Sequence, residues 1–157
     1  KTTPGLRIFE KYAFKCGGGV NHRMGLYDAA MIKENHIAWT DNLNNAVKKI
    51  RLNSPFTTHI IIEAENIEQA KEAVLAGADS VLLDELSPEI IKKNVQELRD
   101  LSMNSLKKEV NKNLIIEVSG INPEEISKYL IKGIDLISTS SSITKSNWID
   151  LSMRYIN

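Results

Sequence analysis

One phrase occurs twice in the chain: a helix-like segment, then Gly, a small or apolar residue, Asp and an apolar run. It reads Ala76-Gly77-Ala78-Asp79-Ser80-Val81-Leu82 and, later, Lys132-Gly133-Ile134-Asp135-Leu136-Ile137. Glycine takes the left-handed turn that ends a helix, and Asp stands where a strand begins. Several strand-like runs are apolar on consecutive positions: Ile60-Ile61-Ile62, Val81-Leu82-Leu83 and Leu114-Ile115-Ile116. A strand covered on both faces reads this way, as in parallel sheet under helices. Strands are expected over residues 30–37, 58–64, 80–84, 113–118 and 135–139. Helices are expected over 5–16, 42–52, 67–76, 88–110, from 123 to the stop at Gly133, and over 148–156. The helix at 88 opens with Ser87 as N-cap and Pro88 at the first helical position.

Five strands alternating with helices give an α/β chain, either a barrel or an open doubly wound sheet. Lys33, Glu63, Asp84 and Ser119 stand at the C-terminal ends of the expected strands, where barrel enzymes gather their chemistry. An incomplete α/β barrel of parallel strands is therefore expected. With 157 residues, 42 % of them apolar, one domain over 1–157 can be supplied with a core. Twenty basic residues balance twenty acidic ones, which argues against a nucleic-acid partner held by phosphate neutralisation. A single Cys excludes an internal disulfide and suits a reducing, cytoplasmic setting. The apolar runs are too short to cross a bilayer, and the opening KTTPGLR, with no charged leader before an apolar stretch, is not expected to be a signal peptide. That opening lacks Met and reads like the middle of a loop, so the chain is expected to be a piece of a longer protein.

Gly17-Gly18-Gly19-Val20-Asn21-His22-Arg23 is the most specific segment. Glycine runs mark tight bends or close approach to a ligand. Arg23 offers a planar fork for a carboxylate or phosphate, and His22 a pH-dependent hydrogen bond. A flexible surface loop with an incidental basic pair would read the same. Lys33 lies in a largely apolar run, where an unpaired ammonium is costly; it belongs at a site or at a strand end in water. His36 beside it is a ligand group or a hydrogen-bonded structural residue. Glu63 and Asp84 end successive strands. They can hold Mg²⁺ together with water and phosphate oxygens, act as an acid–base pair, or simply be paired strand-end carboxylates. Glu65 is expected to face away.

Ser119-Gly120 precedes the helix near Pro123, whose first amides and dipole suit a phosphate. Residues 138–142, five hydroxyl side chains from Ser138 to Ser142, offer more donors or form a polar linker. Cys16, Trp39 and Trp148 read as packing residues, His59 as a residue without a metal-spaced partner. Lys92-Lys93 and Lys107-Lys108 read as solvated helix faces.

Lys1-Thr2-Thr3-Pro4-Gly5-Leu6-Arg7, Lys11-Tyr12-Ala13, the 17–23 run, Gly25-Leu26 and Ile32-Lys33-Glu34-Asn35-His36 together resemble the quinolinate phosphoribosyltransferase family. The match runs in register through roughly the first forty residues and more loosely to the end. The resemblance implies a small N-terminal domain followed by an incomplete α/β barrel, in a homodimer, or an oligomer of dimers, whose sites combine both subunits. It implies transfer of phosphoribosyl from phosphoribosyl pyrophosphate to quinolinate with Mg²⁺, giving nicotinate mononucleotide, CO₂ and pyrophosphate in NAD synthesis. Carried over by motif, Lys1, His22, Arg23 and Lys33 match the basic groups around the two substrate carboxylates. Glu63 and Asp84 match the acidic pair facing the ribose and its Mg²⁺, and with Lys1 they form the expected catalytic set. Ser119 and Gly120 match the start of the loop around the 5-phosphate, and Ser140 falls in its second loop.

The family's Thr-Arg-Lys-Thr motif begins here at its Lys, so the preceding Arg, the N-terminal domain and the first barrel strand are expected to be missing. The family's Ser-Gly-Gly-Ile is Ser119-Gly120-Ile121, one glycine short. Its Val-Gly-Ala-Leu-Thr-His-Ser is replaced by residues 139–146, one longer, with Ser140 for Gly and Lys145 for His. Two other functions stay open: a phosphoribosyltransferase for another ring acid such as nicotinate, against which His22 with three cations favours a dicarboxylate, and a non-catalytic relative, which the altered Ser140–Lys145 region supports.

Overall fold

The computed structural model describes residues 1–40, 42–106, 113–147 and 149–156. Two compact units divide the chain, one of Asn21–Thr139 and one of Lys1–Val20 with Ser140–Asn157.

The larger unit holds a five-stranded, wholly parallel sheet in the order β1-β2-β3-β4-β5. The strands are β1 (Ala30–Ile32), β2 (Ile60–Ala64), β3 (Ser80–Asp84), β4 (Ile115–Ser119) and β5 (Leu136–Ile137). Helices α2 (Glu34–Ala38), α3 (Leu43–Asn53), α4 (Ile67–Leu75) and α5 (Pro88–Leu106) run between them, with a 3₁₀ helix over Pro123–Tyr129. Alternation along each strand sorts the sheet into two faces. Ile60, Ile62, Val81, Leu83, Ile116 and Val118 pack against Val47, Ala70, Val74, Ile91, Val95 and Leu98 of the helices. On the opposite face a small cluster of Ala29, Ile61, Leu82 and Met31 shares the surface with Glu63, Ser80 and Glu117, all buried.

The repeated phrase is a repeated joint. Gly77 and Gly133 both take positive φ, 84° and 101°, which frees the chain to turn from helix to strand. Asp79 then accepts the Ile60 N–H at 2.7 Å and pairs with Arg51 of α3 at 2.6 Å. Asp135 likewise accepts the Ile116 N–H at 2.7 Å and pairs with Arg99 of α5. In each copy the carboxylate satisfies an amide at the entry of the neighbouring strand, while the arginine ties it to a helix.

Four elements depart from expectation. The first strand stops at Ile32 rather than residue 37, because the His36 ring accepts the Lys33 N–H at 3.1 Å and the chain turns into α2. The helix after β4 is 3₁₀ over Pro123–Tyr129. Residues 149–156 carry no regular secondary structure where a final helix was expected. There Ile149, Leu151, Met153 and Tyr155 alternate with polar residues, a period of two that no helix can place on one face, and all four are exposed. Only two residues of the expected fifth strand, Leu136–Ile137, are paired. Trp148, Lys107-Lys108 and the end of the long helix expected to residue 110 lie outside the described residues.

The smaller unit contains α1 (Arg7–Cys16) and α6 (Ser141–Thr144). The glycine run closes α1: Gly17, Gly18 and Gly19 donate to the carbonyls of Ala13, Lys15 and Phe14.

Candidate active site

Register builds the site. Glu63 of β2 stands opposite Leu82 of β3, Leu82 opposite Glu117 of β4, and Glu117 opposite Leu136 of β5. Asp84 and Ser119 form the next pair toward the C-terminal ends. Lys33 follows β1 directly, in extended backbone. Four of the expected residues thus gather at one end of one sheet face.

Lys33 Nζ reaches Glu63 Oε2 at 2.7 Å. Burial pushes the Glu63 carboxyl above its ordinary range and the Asp84 charge adds to this, against the opposing pull of Lys33. Two carboxylates therefore share a neighbourhood with one bonded ammonium. The Ser119 hydroxyl donates to Asp84, so β3 and β4 are tied at their C-terminal ends. Gly120 follows with φ 76°. A Cβ there would meet Glu85 Cγ at 2.7 Å, and Glu85 itself has φ 53°. Positive φ on a non-glycine residue is strain held by its surroundings, and it lies directly beside the site.

His22 and Arg23 lie just before β1. The Arg23 guanidinium donates to the Ala29 carbonyl at 2.9 Å and lies 3.6 Å from the Met31 sulfur. His22 Nε2 is 3.5 Å from Glu117 Oε2. Burial raises the Glu117 pKa, but hydrogen bonds from His22 and Ser138 outweigh it and hold the carboxyl below its ordinary range. Glu117 is the residue that motif reading missed. Its signal was a charge inside Leu114-Ile115-Ile116-Glu117-Val118, the same argument that singled out Lys33. His59 Nε2 contacts the Ser80 hydroxyl at 2.6 Å, so this His has a partner within the sheet.

Lys1 and Ser140 belong to the smaller unit. Ser140 is the N-cap residue of α6, and its carbonyl accepts the Ile143 and Thr144 amides. Among the described residues no group of three or more His, Cys, Asp or Glu gathers as a metal site. None of the described helices is long and apolar enough to cross a membrane.

A family model described as the C-terminal domain of quinolinate phosphoribosyl transferase matches residues 1–154. A probable nicotinate-nucleotide pyrophosphorylase (carboxylating) of Methanothermobacter thermautotrophicus is 42 % identical over 154 residues, 98 % of this chain and 53 % of that protein. The corresponding probable enzyme of Bacillus subtilis is 38 % identical over 153 residues, covering 98 % and 49 %. The crystal structure of NadC from Streptococcus pyogenes superposes with a TM-score of 0.81 at 37 % identity, over 98 % of this chain and 50 % of that one. The chain spans about half the length of these relatives. It belongs to the quinolinate phosphoribosyl transferase family, matching its C-terminal domain.

Proposed function

We propose that this member of the family forms the barrel site of an enzyme that joins quinolinate to phosphoribosyl pyrophosphate, releasing CO₂ and pyrophosphate and leaving nicotinate mononucleotide for NAD synthesis. The observation that carries the proposal is the convergence of Lys33, Glu63, Asp84 and Ser119 at the C-terminal ends of neighbouring strands. A dianionic ring needs several cations. Arg23 supplies a bidentate fork and Lys33 a point charge; on the family motif Lys1 adds the third cation and His22 lies among them as a hydrogen-bonding group.

Departure of pyrophosphate leaves positive charge on the sugar, and Glu63 and Asp84 stabilise it electrostatically. The same two carboxylates suit Mg²⁺, which takes one or two protein carboxylates and fills its shell with water and substrate phosphates. Held by Glu63 and Asp84, the ion would supply positive charge against the departing pyrophosphate. Ser119 and Gly120 receive the 5-phosphate, with Ser140 contributing from the second loop. An ammonium near the ring, assigned to Lys1 and Lys33, favours loss of CO₂ by stabilising the electron pair left on carbon.

A cytoplasmic homodimer, or an oligomer of dimers, completes the proposal. Ile8, Phe9 and Tyr12 of α1 are exposed in the single chain, and apolar groups of that size are usual at subunit contacts. The test is a product assay on the natural protein containing this chain, with phosphoribosyl pyrophosphate and Mg²⁺ and with quinolinate and nicotinate in parallel. Nicotinate mononucleotide from quinolinate alone is expected. Product from nicotinate would move the substrate to a monocarboxylate, and no product from either would favour the non-catalytic alternative.

A further inference from the structure

Among the described residues of the sheet unit, three acidic side chains are buried: Glu63, Asp79 and Glu117. Glu63 has a role in the proposed reaction and Asp79 in a helix–strand joint, but Glu117, only 3 % exposed, lines the site with no role yet assigned. Its neighbours in register on both sides are leucines, Leu82 and Leu136. A carboxylate in such a place is retained only with good partners. The partner the geometry gives is His22 Nε2, 3.5 Å away; Ser138 and His59 also favour the charged carboxylate.

The far side of the His22 ring is also engaged. Nδ1 lies 2.8 Å from the Arg23 backbone nitrogen. A backbone N–H can only donate, so Nδ1 carries no proton, and in the neutral ring the proton sits on Nε2, facing Glu117. A connected series follows: Glu117 to the imidazole, the imidazole to the Arg23 backbone, and the Arg23 guanidinium to the Ala29 carbonyl.

We infer that Glu117 is a positioning residue: it holds His22 in the Nε2–H tautomer, so that the ring anchors the Arg23 backbone and sets the guanidinium for a ligand carboxylate. Arg23 then supplies the charge and His22 the alignment. The inference rests on the dicarboxylate site proposed above, but its first test does not.

That test is ring ¹⁵N NMR of His-labelled protein at a pH where the imidazole is neutral. The three His residues are assigned by loss of the His22 signal in His22→Gln. The Nε2–H tautomer is expected in the wild type; an Nδ1–H ring would overturn the inference without any Glu117 variant. Glu117→Leu keeps bulk and removes the acceptor. It should mix the tautomers and weaken binding of pyridine-2,3-dicarboxylate by about tenfold, with phosphoribosyl pyrophosphate affinity unchanged. Glu117→Gln, whose carbonyl still accepts from Nε2–H, should restore most of both. Wild-type tautomer and affinity in folded Glu117→Leu would contradict the positioning role. Should the leucine variant not fold, Glu117→Gln decides: a ring that leaves the Nε2–H form there, although the amide carbonyl still accepts, would overturn the role. A wild type that binds no dicarboxylate defeats the substrate proposal, while the change of tautomer between wild type and the Glu117 variants still decides the role of Glu117.

Discussion

Lys33 Nζ lies 2.7 Å from Glu63 Oε2, joining the end of β1 to β2, yet burial leaves the carboxyl with a raised pKa. A raised acid binds its proton more tightly in the folded state, so folding costs more when the group is ionised. That cost is absent below the ordinary value of 4.5 and present at neutral pH. Glu63→Gln should therefore melt no lower than the wild type at pH 7, and any advantage should vanish as pH falls through 4.5. Calorimetry at several pH values checks this. Turnover of the same variant should drop by about 10²-fold or more, because the transition-state charge loses its partner.

Arg23 is placed by two contacts of its fork, the Ala29 carbonyl and the Met31 sulfur. Lysine cannot reproduce that geometry. Arg23→Lys should raise the quinolinate KM by about tenfold while the phosphoribosyl pyrophosphate KM stays within about twofold. Equal losses for both substrates in steady-state kinetics would contradict its assignment to the carboxylates.

Asp84 is expected to act with Mg²⁺ and the ribose. Asp84→Ala should lower kcat by about 10²- to 10³-fold and shift the Mg²⁺ concentration needed for half-maximal rate upward. A Mg²⁺ titration of the variant reads both effects. An unchanged rate would remove Asp84 from the proposed site.

The twin joints give a prediction about stability alone. Asp79 is buried, its side chain 3 % exposed, whereas that of Asp135 is 44 % exposed. Asp79→Ala strands the Arg51 charge and the Ile60 amide, and should cost about 3 kcal/mol. Asp135→Ala breaks a wetter pair and should cost about 1 kcal/mol. Urea midpoints of the two variants compare them directly; a larger loss at Asp135 would contradict the burial argument.

Gly120 is held to glycine twice, by its φ of 76° and by Glu85 Cγ, which would stand 2.7 Å from an added methyl carbon. Gly120→Ala should cost about 1–2 kcal/mol and reduce affinity for phosphoribosyl pyrophosphate. Gly120→Ala with Glu85→Gly relieves both the positive φ at 85 and the crowding, and should recover part of the stability. Urea midpoints of the single and double variants check this.

What the sequence discloses depends on how local the cause is. Consecutive branched residues marked β3 to the residue, Ser80–Asp84, because a strand buried on both faces admits little else. The Gly–x–Asp joints were legible as a repeat, but their partners Arg51 and Arg99 lie 28 and 36 residues from the carboxylates they bind, a pairing that only the fold creates. The early end of β1 turns on the His36 ring reaching back to Lys33, a side-chain contact that hydrophobic runs do not encode. Residues 149–155 alternate apolar and polar with a period of two, which does not support the helix expected there. At the candidate site, Lys33, Glu63, Asp84 and Ser119 are conspicuous in the sequence because polar groups at strand ends stand out. Glu117 was missed, because its partner His22 is brought near only when β4 and the segment before β1 face the same side of the sheet.

The most direct measurement is release of labelled CO₂ from carboxyl-labelled quinolinate by the natural protein containing this chain, with and without phosphoribosyl pyrophosphate, alongside Glu63→Ala. CO₂ released only in the presence of phosphoribosyl pyrophosphate, matched one for one by nicotinate mononucleotide and lost in the variant, is the predicted result. CO₂ release that does not depend on phosphoribosyl pyrophosphate, or that survives Glu63→Ala unchanged, would contradict the account.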